Sequence, residues 1–180
     1  MPVNTIEFPD KHFLRAAEGW AELLVFDEVA HEVGKIRPQF RNHPDVLEVR
    51  WAIAANARQW PQALSLAKKF VRLAPENSNG WTYEAKSLIQ LDRTSEAYAL
   101  LLKAQERFPR LENIAYDLAC VCCVLGRPEE GFGWIRQAIE LGGIQVERRA
   151  MEDPELHALW KDLRGSRRCR HPGSRLDHGF

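Results

Sequence analysis

The sequence predicts an all-α chain, an α–α superhelix built as a solenoid of helical hairpins. Three observations carry this: a 34-residue period that runs four times in frame, amphipathic spacing inside each period, and turn or stop residues at matching places. From Phe13 the period lands on Leu47, Trp81 and Ala115; from Ala17 on Trp51, Ala85 and Ala119; from Val29 on Ala63, Ala97 and Gly131. Bulky, small and turn-flanking positions each keep to their own column. A unit of this size buries its apolar face only against neighbouring copies, so the copies must stack.

The first unit, 10–43, carries Phe13, Ala17, Trp20 and Leu23, then Phe26, Val29, Val33 and Ile36. It stops early, because Pro38 cannot continue a helix interior. The second, 44–77, places Leu47, Ala54 and Ala57 before Arg58-Gln59-Trp60. Ala63, Ala67 and Phe70 follow, with Pro75 as the stop. In the third, 78–111, Trp81, Ala85, Leu88 and Leu91 share one helical face. Asp92-Arg93-Thr94 interrupts, Ala97, Leu101 and Ala104 restart, and Phe108-Pro109 ends the unit. The fourth, 112–145, reads Ala115, Ala119, Cys122 and Leu125, a turn at Gly126-Arg127-Pro128, then Gly131, Ile135 and Ala138. Gly142-Gly143 is its expected terminator.

These columns resemble the tetratricopeptide repeat (TPR) family. That family's pattern asks for a bulky residue at repeat position 4, small residues at 8, 20 and 27, and proline at 32. Trp81, Ala85, Ala97, Ala104 and Pro109 fill all five, and Ala115, Ala119, Gly131 and Ala138 fill or approximate four of them one repeat later. The resemblance covers residues 10–145. Trp51 and Phe70 occupy columns that are small in the family, which predicts a splayed second hairpin, with Ala54 and Ala67 making room. Arg41 and Gly143 stand where the family has proline.

Residues 1–9 form an N-terminal extension. Beyond the repeats, residues 146–151 read as a short helical piece. Asp153-Pro154 offers an N-cap followed by proline at the first helical position, and Leu156, Leu159, Trp160 and Leu163 supply an apolar stripe. Residues 146–163 are therefore expected to cap the last repeat. A similar DPEL ending follows the repeats of many bacterial TPR proteins and implies a bacterial source. Residues 164–180 have almost no apolar content and predict a disordered basic tail.

The 25 basic and 25 acidic side chains balance, which argues against a nucleic-acid partner needing a basic face. Residues 1–163 alone hold 20 basic and 24 acidic groups, so the body is mildly acidic. No basic-then-apolar leader opens the chain, and no apolar run reaches the ~20 residues of a membrane span. With Cys120, Cys122 and Cys123 clustered and Cys169 apart, no disulfide framework is suggested, and a cytoplasmic setting without membrane association is expected.

No catalytic constellation or cofactor motif emerges. Cys120 and Cys123 form C-V-C-C, but they fall within one helix without a second ligand pair, so cysteine reads as apolar filler rather than a metal site. Cys169, His171 and His178 in the tail form no designed site, and His12, His31, His43 and His157 are scattered. No GxGxxG, GxxxxGK[ST] or HExxH motif occurs. Glu129-Glu130 suits a helix start. The chain is expected not to be an enzyme.

In the TPR family the first helices of the hairpins line a concave groove in which peptides commonly bind. The resemblance implies groove columns at repeat positions 2, 5, 9, 12 and 13. In the N-terminal half they hold Glu18, Glu22, Asp45 and Glu48, which suit a basic segment. In the C-terminal half they hold Asn79, Lys86, Gln90, Asn113 and Tyr116 beside Ile89 and Val124. Amides can pair with an extended backbone while apolar residues hold its side chains. The candidate partner-binding residues are Asn56, Asn79, Thr82, Lys86, Gln90, Asn113 and Tyr116, weighted to 78–145. The clamp that grips chaperone C-terminal carboxylates is absent, since Leu14, Glu18, Thr82 and Lys86 stand at its positions. The expected function is a scaffold for a protein or peptide partner. The alternatives are a chaperone like those of type III secretion, against which four repeats and neutral charge count, and a homo-oligomeric assembly protein.

Overall fold

The computed structural model describes residues 5–156 together with 159 and 160. Among them lie eight α-helices and no strand. The helices are α1 Asp10–Glu22, α2 Phe26–Lys35, α3 Pro44–Asn56, α4 Trp60–Leu73, α5 Ser78–Ile89, α6 Thr94–Arg107, α7 Glu112–Val124 and α8 Pro128–Glu152. Short 3-10 turns occupy Pro38–Phe40 and Pro154–Leu156. The expected tail at 164–180 and Leu163 lie outside the described residues.

The backbone repeats the sequence period. Each hairpin turn puts one residue in the left-handed region, at matching places: Leu24 (φ 58°), Arg58 (54°), Asp92 (59°) and Gly126 (69°). In each, the next amide reaches back across the helix end. Val25 N donates to Trp20 O at 3.0 Å, Gln59 N to Ala54 O at 2.8 Å, Arg93 N to Leu88 O at 2.9 Å and Arg127 N to Cys122 O at 2.9 Å. This six-to-one bond terminates the first helix and fixes where the second begins. Only the fourth unit uses glycine; in the others a side chain tolerates a region costing an L residue about 1–2 kcal/mol.

The small columns seal the hairpins. Val29, Ala63 and Ala97 are wholly buried. At Gly131 a Cβ would meet Cys122 Cβ at 3.1 Å and Ala119 O at 3.2 Å, so α8 can rest on α7 only through a hydrogen atom there. The second hairpin is closed rather than splayed. Ala54 and Ala63 are buried with Leu47, Leu66 and Phe70 in one cluster. Trp51 packs on the edge of that cluster and reaches the next repeat, where its ring stacks on Tyr83 at 4.1 Å and its Nε1 donates to Ser87 Oγ at 3.0 Å. The bulky residue becomes a tie between α3 and α5.

Packing alternates along the chain, each helix against the next, and the first helices also meet one another: α1 with α3, α3 with α5, α5 with α7. That places the first helices on the inside of the curve. At the N-terminal end the buried Asp10 accepts from Arg37 N at 2.7 Å and Arg37 Nε at 2.6 Å, locking the start of α1 to the segment after α2.

The fourth unit ends where the sequence expects. The span α8 is two helices that meet at Gly143, whose φ of 65° and ψ of −152° are not helical, and the second runs on to Glu152. Glu112, at the start of α7, and Val146 crowd Gly142 so closely that a Cβ there would lie 2.2 Å from Val146 Cγ2. The second half of α8 turns back over α7, burying Val146 and Ala150 with Leu156 and Leu159. Trp160 Nε1 donates to Ala150 O at 2.8 Å across this end.

Two substitutions test the packing. Ala97→Trp overfills a wholly buried contact, and such insertions cost about 1–3 kcal/mol or more, so the thermal midpoint should drop sharply or the array should unfold. Gly126→Val should cost about 1–2 kcal/mol in denaturant melts, because only this turn relies on glycine.

Candidate functional site: a polar pocket on the inner face

The inner faces of α5 and α7, together with the folded-back end of α8, enclose a pocket of about 310 Å³. Its polar lining includes Lys86 from α5 and Gln90 just past its end, Tyr116 and Asp117 from α7, and Arg149, Asp153 and Glu155 from the returning chain. Trp51, Trp60, Ile89 and Leu101 are among its apolar lining. The pocket exists because Gly143 breaks α8 and sends the following residues back across α7.

Tyr116 is the organising residue. It is buried, and its hydroxyl donates to Asp153 Oδ2 at 2.6 Å while the Arg149 guanidinium covers its ring at 4.0 Å. Burial, and then the Asp153 carboxylate, push the phenol's pKa up, so it stays a neutral donor. Asp153 Oδ1 accepts from Glu155 N at 2.9 Å. The sequence reading takes Tyr116 as a peptide contact; it is instead the covered floor to which the end of α8 is fastened.

Asp117 is the unusual group. Its Oδ2 is sealed from water and has no hydrogen-bond partner. Burial pushes its pKa up to about 6, although the Lys86 ammonium, the Thr82 hydroxyl and Arg149 pull the other way. An unmatched buried carboxylate oxygen costs about 1–3 kcal/mol, so something holds this residue against its own solvation.

The seven sequence-predicted residues divide. Lys86, Gln90 and Tyr116 line the pocket, and Thr82 lies beside Asp117. Asn79 is exposed but occupied: its Nδ2 donates to Glu48 Oε1 at 3.1 Å, and Tyr83 donates to the same oxygen at 2.5 Å. Asn56, at the end of α3, and Asn113 are exposed and stand outside the pocket lining. Asp117, Arg149, Asp153 and Glu155 were not singled out for the groove by sequence reasoning. For Asp117 a signal was present: it is the lone charge inside residues 113–125, an otherwise apolar and amide-bearing stretch.

The N-terminal half of the inner face is acidic. The Glu18 carboxyl is pushed above its usual range by burial and then by Asp45 and Glu48. A second cavity of about 450 Å³ lies there, lined by Lys11, Leu14, Arg15, Glu18, His43 and Asp45 among others.

The three cysteines among the described residues are free; Cys120 and Cys122 are buried and Cys123 is half-buried. Burial pushes the Cys122 thiol up to about 12 and raises Cys120 and Cys123 as well, so all three are held as neutral thiols. Among the described residues no cluster of three or more His, Cys, Asp or Glu could hold a metal ion, and no helix is long and apolar enough to cross a membrane.

No family model and no curated protein matches the sequence. Solved structures do. TTC0263, a thermophilic TPR protein of Thermus thermophilus, superposes with a TM-score of 0.73 at 16% identity over 86% of this chain and 82% of that one. The chain has the TPR fold. MamA superposes with a TM-score of 0.64 at 16% identity, covering 87% of this chain and 85% of its own. MamA 41-end from Desulfovibrio magneticus RS-1 also gives 0.64, at 14% identity, over 92% of this chain and 99% of that one. On this TPR framework α1, α3, α5 and α7 are the first helices of the four hairpins, and the polar pocket opens on their shared face.

The raised Asp117 pKa has a stability consequence of defined sign. The fold favours the neutral acid, so its stabilisation is full below the unfolded value of about 4 and is lost as pH rises through about 6. Asp117→Asn should melt at a higher temperature than the parent at pH 8, by the equivalent of about 2–3 kcal/mol at most. Calorimetry should show that gap closing as pH falls to 4.

Proposed function

We propose that the chain is a non-enzymatic protein–protein interaction scaffold that takes a peptide segment of a partner along the inner face of its TPR hairpins, mainly between α5 and α7. The observation that carries this reading is the pocket around Asp117, whose Oδ2 is sealed from water without a partner, with exposed donors nearby on the same face. Lys86 lies on α5, Gln90 caps its C-terminal end and Asn113 stands at the start of α7, all exposed. A peptide backbone offers carbonyls to such donors and amide hydrogens to Asp117. The buried neutral thiols make poor nucleophiles, which supports binding rather than catalysis. The acidic inner face around Glu18, Asp45 and Glu48 supports a partner of basic character in the cytoplasm.

A second reading, homo-oligomeric assembly, is favoured by one surface. Trp20, Leu23, Leu24 and Val25 expose an apolar run at the first hairpin turn. The two readings use different faces and separate experimentally.

The test is affinity capture of partners by the full chain against the Lys86→Ala, Gln90→Ala, Asn113→Ala triple variant. These side chains are exposed, so the variant should melt like the parent while its partners are depleted at least about tenfold, a loss of roughly 1.4 kcal/mol. Recovery of the same partners in the same amount would show that the inner face is not the binding surface. For assembly, light scattering should shift to a smaller species with Leu24→Asp, and a monomeric parent would end that reading.

A further inference from the structure

The polar pocket carries a charge pattern that the groove reading alone does not use. Two cations, Lys86 and Arg149, face three acids, Asp117, Asp153 and Glu155, so the lining is one positive charge short. The acids are not equivalent. Asp153 has both oxygens engaged, by Tyr116 and by the Glu155 amide. Arg149 is spread over the Tyr116 ring rather than paired with Asp117. Asp117 Oδ2 is left without a donor. The terminal torsion of an aspartate is broad and nearly two-fold, so either oxygen can face the pocket at small cost.

The rest of the lining is largely apolar and aromatic, with Trp51, Trp60, Ile89 and Leu101. A ligand that satisfies both kinds of lining has an apolar stem and a donor-rich cationic head. An apolar side chain would leave Asp117 unmatched, and an acidic one would meet three carboxylates.

We propose that this pocket takes a cationic side chain of the partner segment, arginine in preference to lysine, with Asp117 as its counter-ion and Trp51 and Trp60 flanking its stem. Arginine is favoured because its planar guanidinium is weakly hydrated, presents several donors and stacks on aromatic rings. Lys86 is exposed on α5 and is free to swing aside. The pocket thus sets the specificity of a groove whose other half is already acidic. The inference rests on the groove reading.

The test uses the full chain and four equimolar nonapeptide mixtures, acetyl-XXXX-Z-XXXX-amide. X is drawn from uncharged residues and Z is Arg, Lys, Gln or Glu. Binding is read from the indole N–H signals of Trp51 and Trp60 in two-dimensional NMR titrations. The Arg mixture should bind at least about tenfold tighter than the Gln mixture, with Lys between them and Glu weakest. Asp117→Asn should bring the Arg-to-Gln ratio close to one while leaving affinity for the Gln mixture unchanged. Ile89→Arg, which offers the pocket a guanidinium from the chain itself, should abolish the preference as well, and serves if Asp117→Asn does not fold. Equal binding of all four mixtures overturns this inference and leaves the groove reading standing. Binding of none overturns both.

Discussion

The architecture depends on a contact repeated four times, where the twentieth residue of each repeat meets the first helix of its hairpin. Val29, Ala63 and Ala97 have no exposed surface, and at Gly131 even a Cβ would press on Cys122 and the Ala119 carbonyl. Side-chain volume at this column sets how closely paired helices approach, and close-packed interiors leave no slack for error. The turn geometry is subordinate to it. The left-handed residue and six-to-one hydrogen bond recur at the same place in every hairpin, including three turns where no glycine makes them easy. A residue carrying a Cβ holds that conformation because packing on both sides of the turn determines where the second helix must start.

The inner-face pocket is a consequence of how the stack ends. In a regular array the last repeat would present an open apolar face. Here Gly143 breaks α8, Gly142 lets the break sit against Glu112, and the chain returns over α7. The return buries Val146, Ala150, Leu156 and Leu159, and it also carries Arg149 and Asp153 to Tyr116. Closing the core and building the polar site are one structural event. Asp117, with one oxygen sealed from water and unpartnered, fits the same logic, since a group that destabilises the isolated fold is tolerated where binding can recover what solvation lost.

Much of this was legible in the sequence because a repeat reports every position several times. The columns gave the hairpins, their order and the inner face, and the early stop at Pro38 matches α2 ending at Lys35. What a column does not give is direction. Trp51 in a small column suggested a splayed hairpin, yet its indole lies on the edge of the closed core and spans to Tyr83 and Ser87 on the next repeat. Tyr116 sits at a groove position and is nevertheless covered, because what covers it comes from residues 149 and 153. Those residues read linearly as part of a cap, and only the break at Gly143 turns them back. Asp117 was missed because it falls between groove columns, although a lone charge in the apolar body of α7, past Glu112 at its start, already asked for an explanation.

The central claim is that binding takes place on the inner face, at its C-terminal half. Hydrogen–deuterium exchange of the full chain, alone and in complex with its affinity-purified partner, tests it most directly. The account predicts added protection in α5, α7 and residues 144–156, with α4 and α6 unchanged. Protection concentrated on α4 and α6, with α5 and α7 unaffected, would contradict it.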